Sequence, residues 1–331
     1  MYKNGLSYTI ITLLSLLTHI SMLTIVFIKG QYDSIMSPII LSAIILGSDI
    51  LYFFILKFLK QNTYTFDILL ITVLNMSVIF QSCFGKVGFA VKHFIFSVLA
   101  LVFCQIGFKL AQNYKFIEKH KYIFYGIIGA LVISILLFTG SRGMWIDLGF
   151  ITIQPSEFIK PFFALVFATS LAAQQNKKKI LGIRIVYDNW ILLGITALIV
   201  LLQWWCRDLG SLPTFAAVAA CGFIMRICYP KAKLSKKLLI GISAAGLVVV
   251  IIALKFAPSY VQDRLHVDIW SDPTGNGWQQ CQALIAIAEG GWFGKGPGYG
   301  VLYKVPAADT DIVFSSISEE WGLLTALLAV F

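Results

Sequence analysis

Residues 271–300 read SDPTGNGWQQCQALIAIAEGGWFGKGPGYG, and no other part of the chain resembles them. Elsewhere long apolar runs alternate with short basic links. Here Asp272 and Glu289 stand among Gly275, Gly277, Gly290, Gly291, Gly294, Gly296 and Gly298, with aromatics at Trp278, Trp292, Phe293 and Tyr299. Glycines at this density mean backbone in left-handed turns or pressed close to a neighbour. The stretch lies in residues 257–311, the longest break between apolar runs. In a membrane protein such irregular backbone must face water, a cavity or other protein. The expectation is a loop that folds back over a membrane-embedded site.

Composition decides the solvent. The 331 residues are 58% hydrophobic and 13% charged, with a mean hydropathy of +0.83. Soluble chains carry about 25% charged residues. A bilayer span needs roughly 20 apolar residues. About ten runs approach that length, at 8–28, 36–56, 66–84, 93–112, 122–138, 157–173, 190–205, 209–228, 237–256 and 312–331. The expected fold class is therefore an all-α polytopic membrane protein with a large loop between the last two spans. The net charge of +10 does not point to nucleic acid, because the basic residues sit in the links, as orientation signals do. With the N-terminus inside, sixteen lysines and arginines fall inside and nine outside. That asymmetry predicts a cytoplasmic N-terminus and an outer 257–311 loop.

Most acids gather at outer helix ends and in that loop. Only Asp33, Asp49, Asp67, Glu118 and Asp188 fall elsewhere, so chemistry is expected outside. The first two or three spans carry almost no polar signal and read as scaffold. Six cysteines lack any metal-ligand spacing and are expected to pack as small hydrophobes. The first run lacks a cleavage site and reads as a retained anchor.

Three polar clusters remain. Gly140–Phe162 is GSRGMWIDLGFITIQPSEFIKPF. Pro155 and Ser156 predict a helix start, with Glu157 in its first turn and Lys160 three residues on, on the same face. An ammonium one turn deep in a membrane asks for a partner, either Glu157 or a loop carboxylate. WWCRDLGSLP (204–213) brings Arg207 and Asp208 to the outer surface, Asp208 as a helix cap or as part of a site. Residues 263–320 hold Asp272-Pro273 in a turn, Asp309-Thr310-Asp311 opening the last span, and Glu319-Glu320 at or within the membrane. Those paired carboxylates suit proton relay, cation binding or packing against basic groups. GKGPGYG lacks the strand and the GK[ST] of a phosphate loop.

Together these clusters resemble the SEDS family (shape, elongation, division and sporulation; RodA, FtsW and SpoVE). The resemblance rests on Gln154-Pro155-Ser156-Glu157 with Lys160, on Asp208-Leu209-Gly210-Ser211, on Asp272 to Gly298, and on Asp309 to Gly322. Four motifs in order cover residues 140–322. The chain departs from the family pattern at Met144 (for Arg, with Arg142 two positions upstream), Arg207 (for Pro), Trp278 (for Tyr), Glu289 (for a small residue) and Asp309 (for His). Five spans precede the first motif where about three are expected, and Phe331 falls inside a span where the family continues. The expected organisation is one membrane domain, 1–331, with weakly matching helices in 1–121 and a motif-bearing core in 122–331.

The resemblance implies a glycosyltransferase of the bacterial cytoplasmic membrane. It would polymerise lipid II into peptidoglycan at the outer face, for elongation, division or sporulation, beside a class B penicillin-binding protein. It implies Asp272 as general base or metal ligand and Lys160 as the partner that holds it. Arg142, Arg207 and Lys295 are expected at the lipid pyrophosphate. Glu157, Asp208 and Glu320 are expected to position helices or a cation. Trp145, Trp278 and Trp292 are expected against sugar or lipid or as anchors at the membrane interface, and Gln154, Gln279 and Asp311 are motif positions on the substrate side. A divalent cation, Mg2+ or Mn2+, suits the diphosphate, and no organic cofactor is expected. A lipid II flippase and a catalytically silent scaffold are the alternatives.

Overall fold

The computed structural model describes residues 7–58, 64–138, 145–147, 149, 152–172, 177–180, 183–206, 208, 210–228, 269–275 and 277–330. The expected 237–256 span and the first part of the outer loop lie outside the described residues. The chain divides into two compact units, residues 1–105 with 256–331, and residues 106–255.

In the first unit, α1 (Tyr8–Lys29), α2 (Met36–Phe58) and α3 (Thr65–Cys83) pack on one another, and α4 (Val91–Gln112) follows. Helix α1 opens on Ser7, whose hydroxyl accepts the Ile10 amide, and closes where the Gly30 amide meets the Val26 carbonyl at 2.9 Å. Its buried positions include Ile11, Ser15, His19, Met22 and Val26, an i, i+4, i+8 stripe. The opposite face shows Leu13, Leu14, Leu17 and Ile28. An outward face of leucine and isoleucine on helix after helix is stable in lipid and not in water. Five described helices, α1 to α4 and α6, are long and apolar enough to cross a membrane.

The rest of this unit comprises α10 (Trp278–Gly290), a 3-10 turn (Leu302–Lys304), α11 (Val313–Trp321) and α12 (Leu323–Val330). Ile317, Trp321 and Ala326 join a core with Val26, Ile45, Val78, Phe80 and Cys83. The Trp321 ring meets Phe80 edge-on at 5.3 Å. The run expected as one span over 312–331 is broken at Gly322, φ +90°, which separates α11 from α12. A side chain there would collide with the Trp292 carbonyl and the Phe293 backbone, so the break is set by a passing loop and not by local hydrophobicity.

In the second unit α5 (Tyr114–Lys119), α6 (Lys121–Phe138), α7 (Pro155–Ala172), α8 (Tyr187–Trp205) and α9 (Leu212–Cys228) surround Phe124, Ile128, Val132, Ile159, Phe163, Phe167, Ile199 and Phe215. Helix α7 begins at Pro155, as expected of a residue with no amide hydrogen to leave unmet. Two short hairpins depart from the all-helical expectation. Strand β1 (Ile146–Asp147) pairs with β2 (Thr152–Ile153), and β3 (Lys177–Ile180) with β4 (Ile183–Val186). Their isoleucines, valine and threonine favour the extended backbone.

Gly222 on α9 lets the Phe167 ring of α7 lie against its backbone. Gly222→Leu would force that buried ring aside. The expected loss is about 1–3 kcal/mol, read as a lower thermal midpoint of the purified protein.

Candidate functional site

The motif-rich segment of the first unit is built around two adjacent glutamates. Glu319 and Glu320 end α11 and are only 1% and 2% exposed. A helix leaves its last carbonyls without intrahelical partners. Here the glycine-rich loop supplies them: the Lys295 amide donates to the Glu319 carbonyl and the Gly296 amide to the Glu320 carbonyl, both at 2.9 Å. The side chains grip the same loop. The Glu319 carboxylate accepts from the amides of Val301 (3.0 Å) and Leu302 (3.0 Å) and from Lys295 Nζ at 2.9 Å. The Glu320 carboxylate accepts from the amides of Gly298 (3.0 Å) and Gly85 (3.2 Å), and from Gly300.

This grip explains the glycines. Gly298 has φ +83°, and a Cβ there would stand 2.7 Å from the Gln31 carbonyl. A Cβ on Gly300 would stand 2.6 Å from Glu320 Oε1. The loop also locks to both neighbouring links: the Gln31 amide donates to the Pro297 carbonyl and the Val87 amide to the Gln31 carbonyl, each at 2.9 Å.

Lys295 is held by Glu289 and Glu319. Partial burial pushes its ammonium down, but hydrogen bonds and charge from those two carboxylates outweigh it and hold Lys295 above the ordinary lysine value. The cation expected at a pyrophosphate is thus engaged within the loop.

Asp272 sits at the head of this segment, exposed, in a turn that fixes its carboxylate. Asp272 Oδ1 accepts the Gly275 amide at 2.9 Å and its carbonyl accepts the Gly277 amide at 3.2 Å. A Cβ on Gly275 would run into that carboxylate. Helix α10 follows at once, and its Gln279 donates from Nε2 to the Pro306 carbonyl at 2.8 Å. Beyond it opens a groove of about 460 Å³, lined by Gln81, Tyr303, Lys304, Pro306, Ala307 and Asp309 among others. Ala307 holds a left-handed backbone, φ +58°, which a non-glycine residue keeps only where its surroundings enforce it. Its carbonyl gathers the amides of Thr310, Asp311 and Ile312. Asp311 is exposed there. Trp278 and Trp292 are also exposed, as suits residues at a membrane interface.

In the second unit the first two clusters meet. Gln154 Nε2 donates to Asp208 Oδ2 at 3.0 Å, and Asp208 Oδ1 accepts the Ser211 amide at 3.1 Å. Asp208, 5% exposed, is therefore both a cap before α9 and a link between motifs. A cavity of about 10 Å³ beside it is bordered by Ser156, whose buried hydroxyl has no hydrogen-bond partner among the described residues; that is room for one water. Lys160 donates to Glu157 Oε1 at 2.5 Å, one turn apart on α7. Trp145 is exposed just before β1. Arg142 and Arg207, with Met144, lie outside the described residues.

The sequence profile of the FtsW, RodA and SpoVE cell cycle proteins matches residues 60–331. The chain belongs to that family. Among curated relatives it is 31% identical over 278 residues to a probable peptidoglycan glycosyltransferase FtsW of Allochromatium vinosum, covering 80% of this chain and 66% of the relative. It is 30% identical over 254 residues to the protein so named in Alcanivorax borkumensis, covering 71% and 60%. The chain thus spans two thirds or less of the length of these FtsW relatives. A solved structure, described as structural coordination of polymerization and crosslinking by a peptidoglycan synthase complex, shares the fold. Its TM-score is 0.50 at 19% identity, over 81% of this chain and 74% of that one.

Three contributors to the site were not anticipated: Gly85, Gln31 and Gln81 come from links and helix ends of the first three spans. Their side chains or amides serve the loop through backbone bonds, which leave no pattern in sequence. Glu319→Ala is expected to leave Lys295 with Glu289 alone and the Val301 and Leu302 amides without their carboxylate, costing about 1–3 kcal/mol for each buried amide left unmet. Hydrogen exchange at residues 295–302 should accelerate, while α1–α3 keep their protection.

Proposed function

We propose that this chain is a peptidoglycan glycosyltransferase that polymerises lipid II at the outer face of the bacterial cytoplasmic membrane. The observation that carries the proposal is the Asp272 turn: an exposed carboxylate that accepts the Gly275 amide, in a turn closed by the Gly277 amide on the Asp272 carbonyl, at the head of a loop gripped by Glu319 and Glu320. The names of its FtsW relatives support the same reaction. Basic residues concentrated in the other set of links support an N-terminus in the cytoplasm and a loop outside.

In glycosyl transfer an acceptor sugar hydroxyl attacks the anomeric carbon of the donor. The bond from that carbon to the lipid pyrophosphate breaks, and its electron pair leaves on the diphosphate. Asp272 takes the hydroxyl proton. Positive charge offsets the leaving group, a role that falls to Arg142 and Arg207. Lys295 serves instead as a brace within the loop. The groove beside Tyr303 and Lys304 has an aromatic face and polar walls suited to a sugar.

A Mg2+ or Mn2+ ion bound with substrate would be held by Asp272 and diphosphate oxygens and would offset charge on the leaving group. Among the described residues no three His, Cys, Asp or Glu side chains converge as a cation site. A class B penicillin-binding protein is the expected partner, cross-linking the strands that this chain makes.

The test is synthesis of glycan from labelled lipid II by the purified protein, alone and with a co-purified class B penicillin-binding protein. Wild type should give ladders of polymer. Asp272→Ala should lower the rate by about 100-fold or more, the scale of a lost general base. Ladders that persist in Asp272→Ala would remove Asp272 from the chemistry, and a folded wild type that makes none under either condition would overturn the polymerase assignment in favour of transport or scaffolding.

A further inference from the structure

The scaffold helices contain a buried polar cluster that the proposed reaction does not use. His19 on α1 and Asp49 on α2 are each 0% exposed, with Nδ1 of the imidazole 2.5 Å from Asp49 Oδ2. His19 Nε2 lies 3.1 Å from the Thr72 carbonyl on α3. Asn75, also on α3, donates from Nδ2 to Asp49 Oδ1 at 2.8 Å and to Ser48 Oγ at 3.1 Å. Ser15 and Thr72 hydroxyls meet at 2.6 Å, and Thr72 donates onward to the Ile68 carbonyl. Three helices that read as uniformly apolar are joined through one imidazole and one carboxylate.

Hydrogen-bond roles fix the proton count. A carbonyl oxygen only accepts, so Nε2 must carry a proton. Were the histidine neutral and the aspartate ionised, Nδ1 would then be bare and would face a bare carboxylate oxygen at 2.5 Å, lone pair against lone pair. Moving the only proton to Nδ1 satisfies Asp49 but turns a bare Nε2 towards the Thr72 carbonyl. A second proton satisfies both contacts. The pair then has no net charge, which is the one state that burial among lipid-facing helices tolerates cheaply.

We propose that His19 and Asp49 form an intramembrane proton-binding site, with one proton held between imidazole and carboxylate, that latches α1 onto α2 and α3. The ligand is the proton itself. Both residues precede residue 60, where the match to the family profile begins. The latch therefore anchors two helices that the family match does not include. It also fixes the α1–α2 link, whose Gln31 bridges the glycine-rich loop and the α3–α4 link. None of this depends on which reaction the protein performs.

Two measurements on the full chain in lipid nanodiscs decide it. The first is nitrogen NMR of protein labelled at its histidines, with the His19 signals assigned by their loss in His19→Gln. At neutral pH the site predicts a protonated Nε2 and a hydrogen-bonded Nδ1, and a bare Nε2 would overturn it. The second compares thermal midpoints of His19→Leu, Asp49→Leu and the double variant. Each single change strands a buried partner, so the double variant should lose less than the sum of the two losses. Additive losses would overturn the latch, and the wild-type spectrum decides alone if a variant does not fold.

Discussion

Everything in the motif-bearing half of the first unit depends on two buried carboxylates at the end of one short helix. Glu319 and Glu320 cannot be left unmet out of water, since an unpaired buried charge is among the costliest groups a fold can hold. Each therefore recruits backbone amides, and those amides come from a loop rich in glycine because nothing bulkier approaches so closely. The loop in turn caps the last carbonyls of the helix. Loop and helix end are one object, and neither is stable in this form without the other.

That object has consequences at both ends. Upstream, α10 and the turn at Asp272 are tied down through Gln279 and the small residues Ala283, Ala286 and Gly290 that α10 buries. Downstream, Gly322 breaks what would have been a continuous span, because the Trp292–Phe293 backbone passes where a side chain would be. The carboxylate assigned to catalysis is exposed, while the carboxylates that shape its surroundings are buried. Burial separates these acids: Glu319 and Glu320 are enclosed by amides and brace the loop, whereas Asp272 faces solvent in its turn.

Much of this was legible in sequence. Apolar runs of bilayer length matched α1 to α4 and α6 to α9 with ends within a few residues, because hydrophobicity and the Pro155 start are local signals, while the short charged α5 carries no such run. Asp272, Glu319 and Glu320 stood out as acids among glycines and apolar residues. The bracing roles of Glu319 and Glu320 did not, since a carboxylate that binds amides 17 to 235 residues away has no spacing to read. The same limit hid the Gln154–Asp208 bond and the His19–Asp49 pair, where single polar residues in apolar runs meet across helices. Lys295, expected at a phosphate, is matched by Glu289 and Glu319, a pairing across elements that no local spacing shows. The split of the last span at Gly322 was invisible because the Trp292–Phe293 backbone that enforces it lies far away in sequence.

The central claim is that the glutamate grip holds the loop in the shape its chemistry needs. The most direct measurement follows glycan synthesis and amide exchange at residues 295–302 on one sample of Glu320→Gln, at a temperature where α1–α3 stay fully protected. Glutamine keeps the volume but replaces one acceptor oxygen, of the carboxyl group that the amides of Gly85, Gly298 and Gly300 share, with an amide group that only donates. The account predicts that synthesis falls as the loop amides lose protection, with Asp272 intact throughout. Full synthesis from a protein whose loop exchanges freely would contradict it.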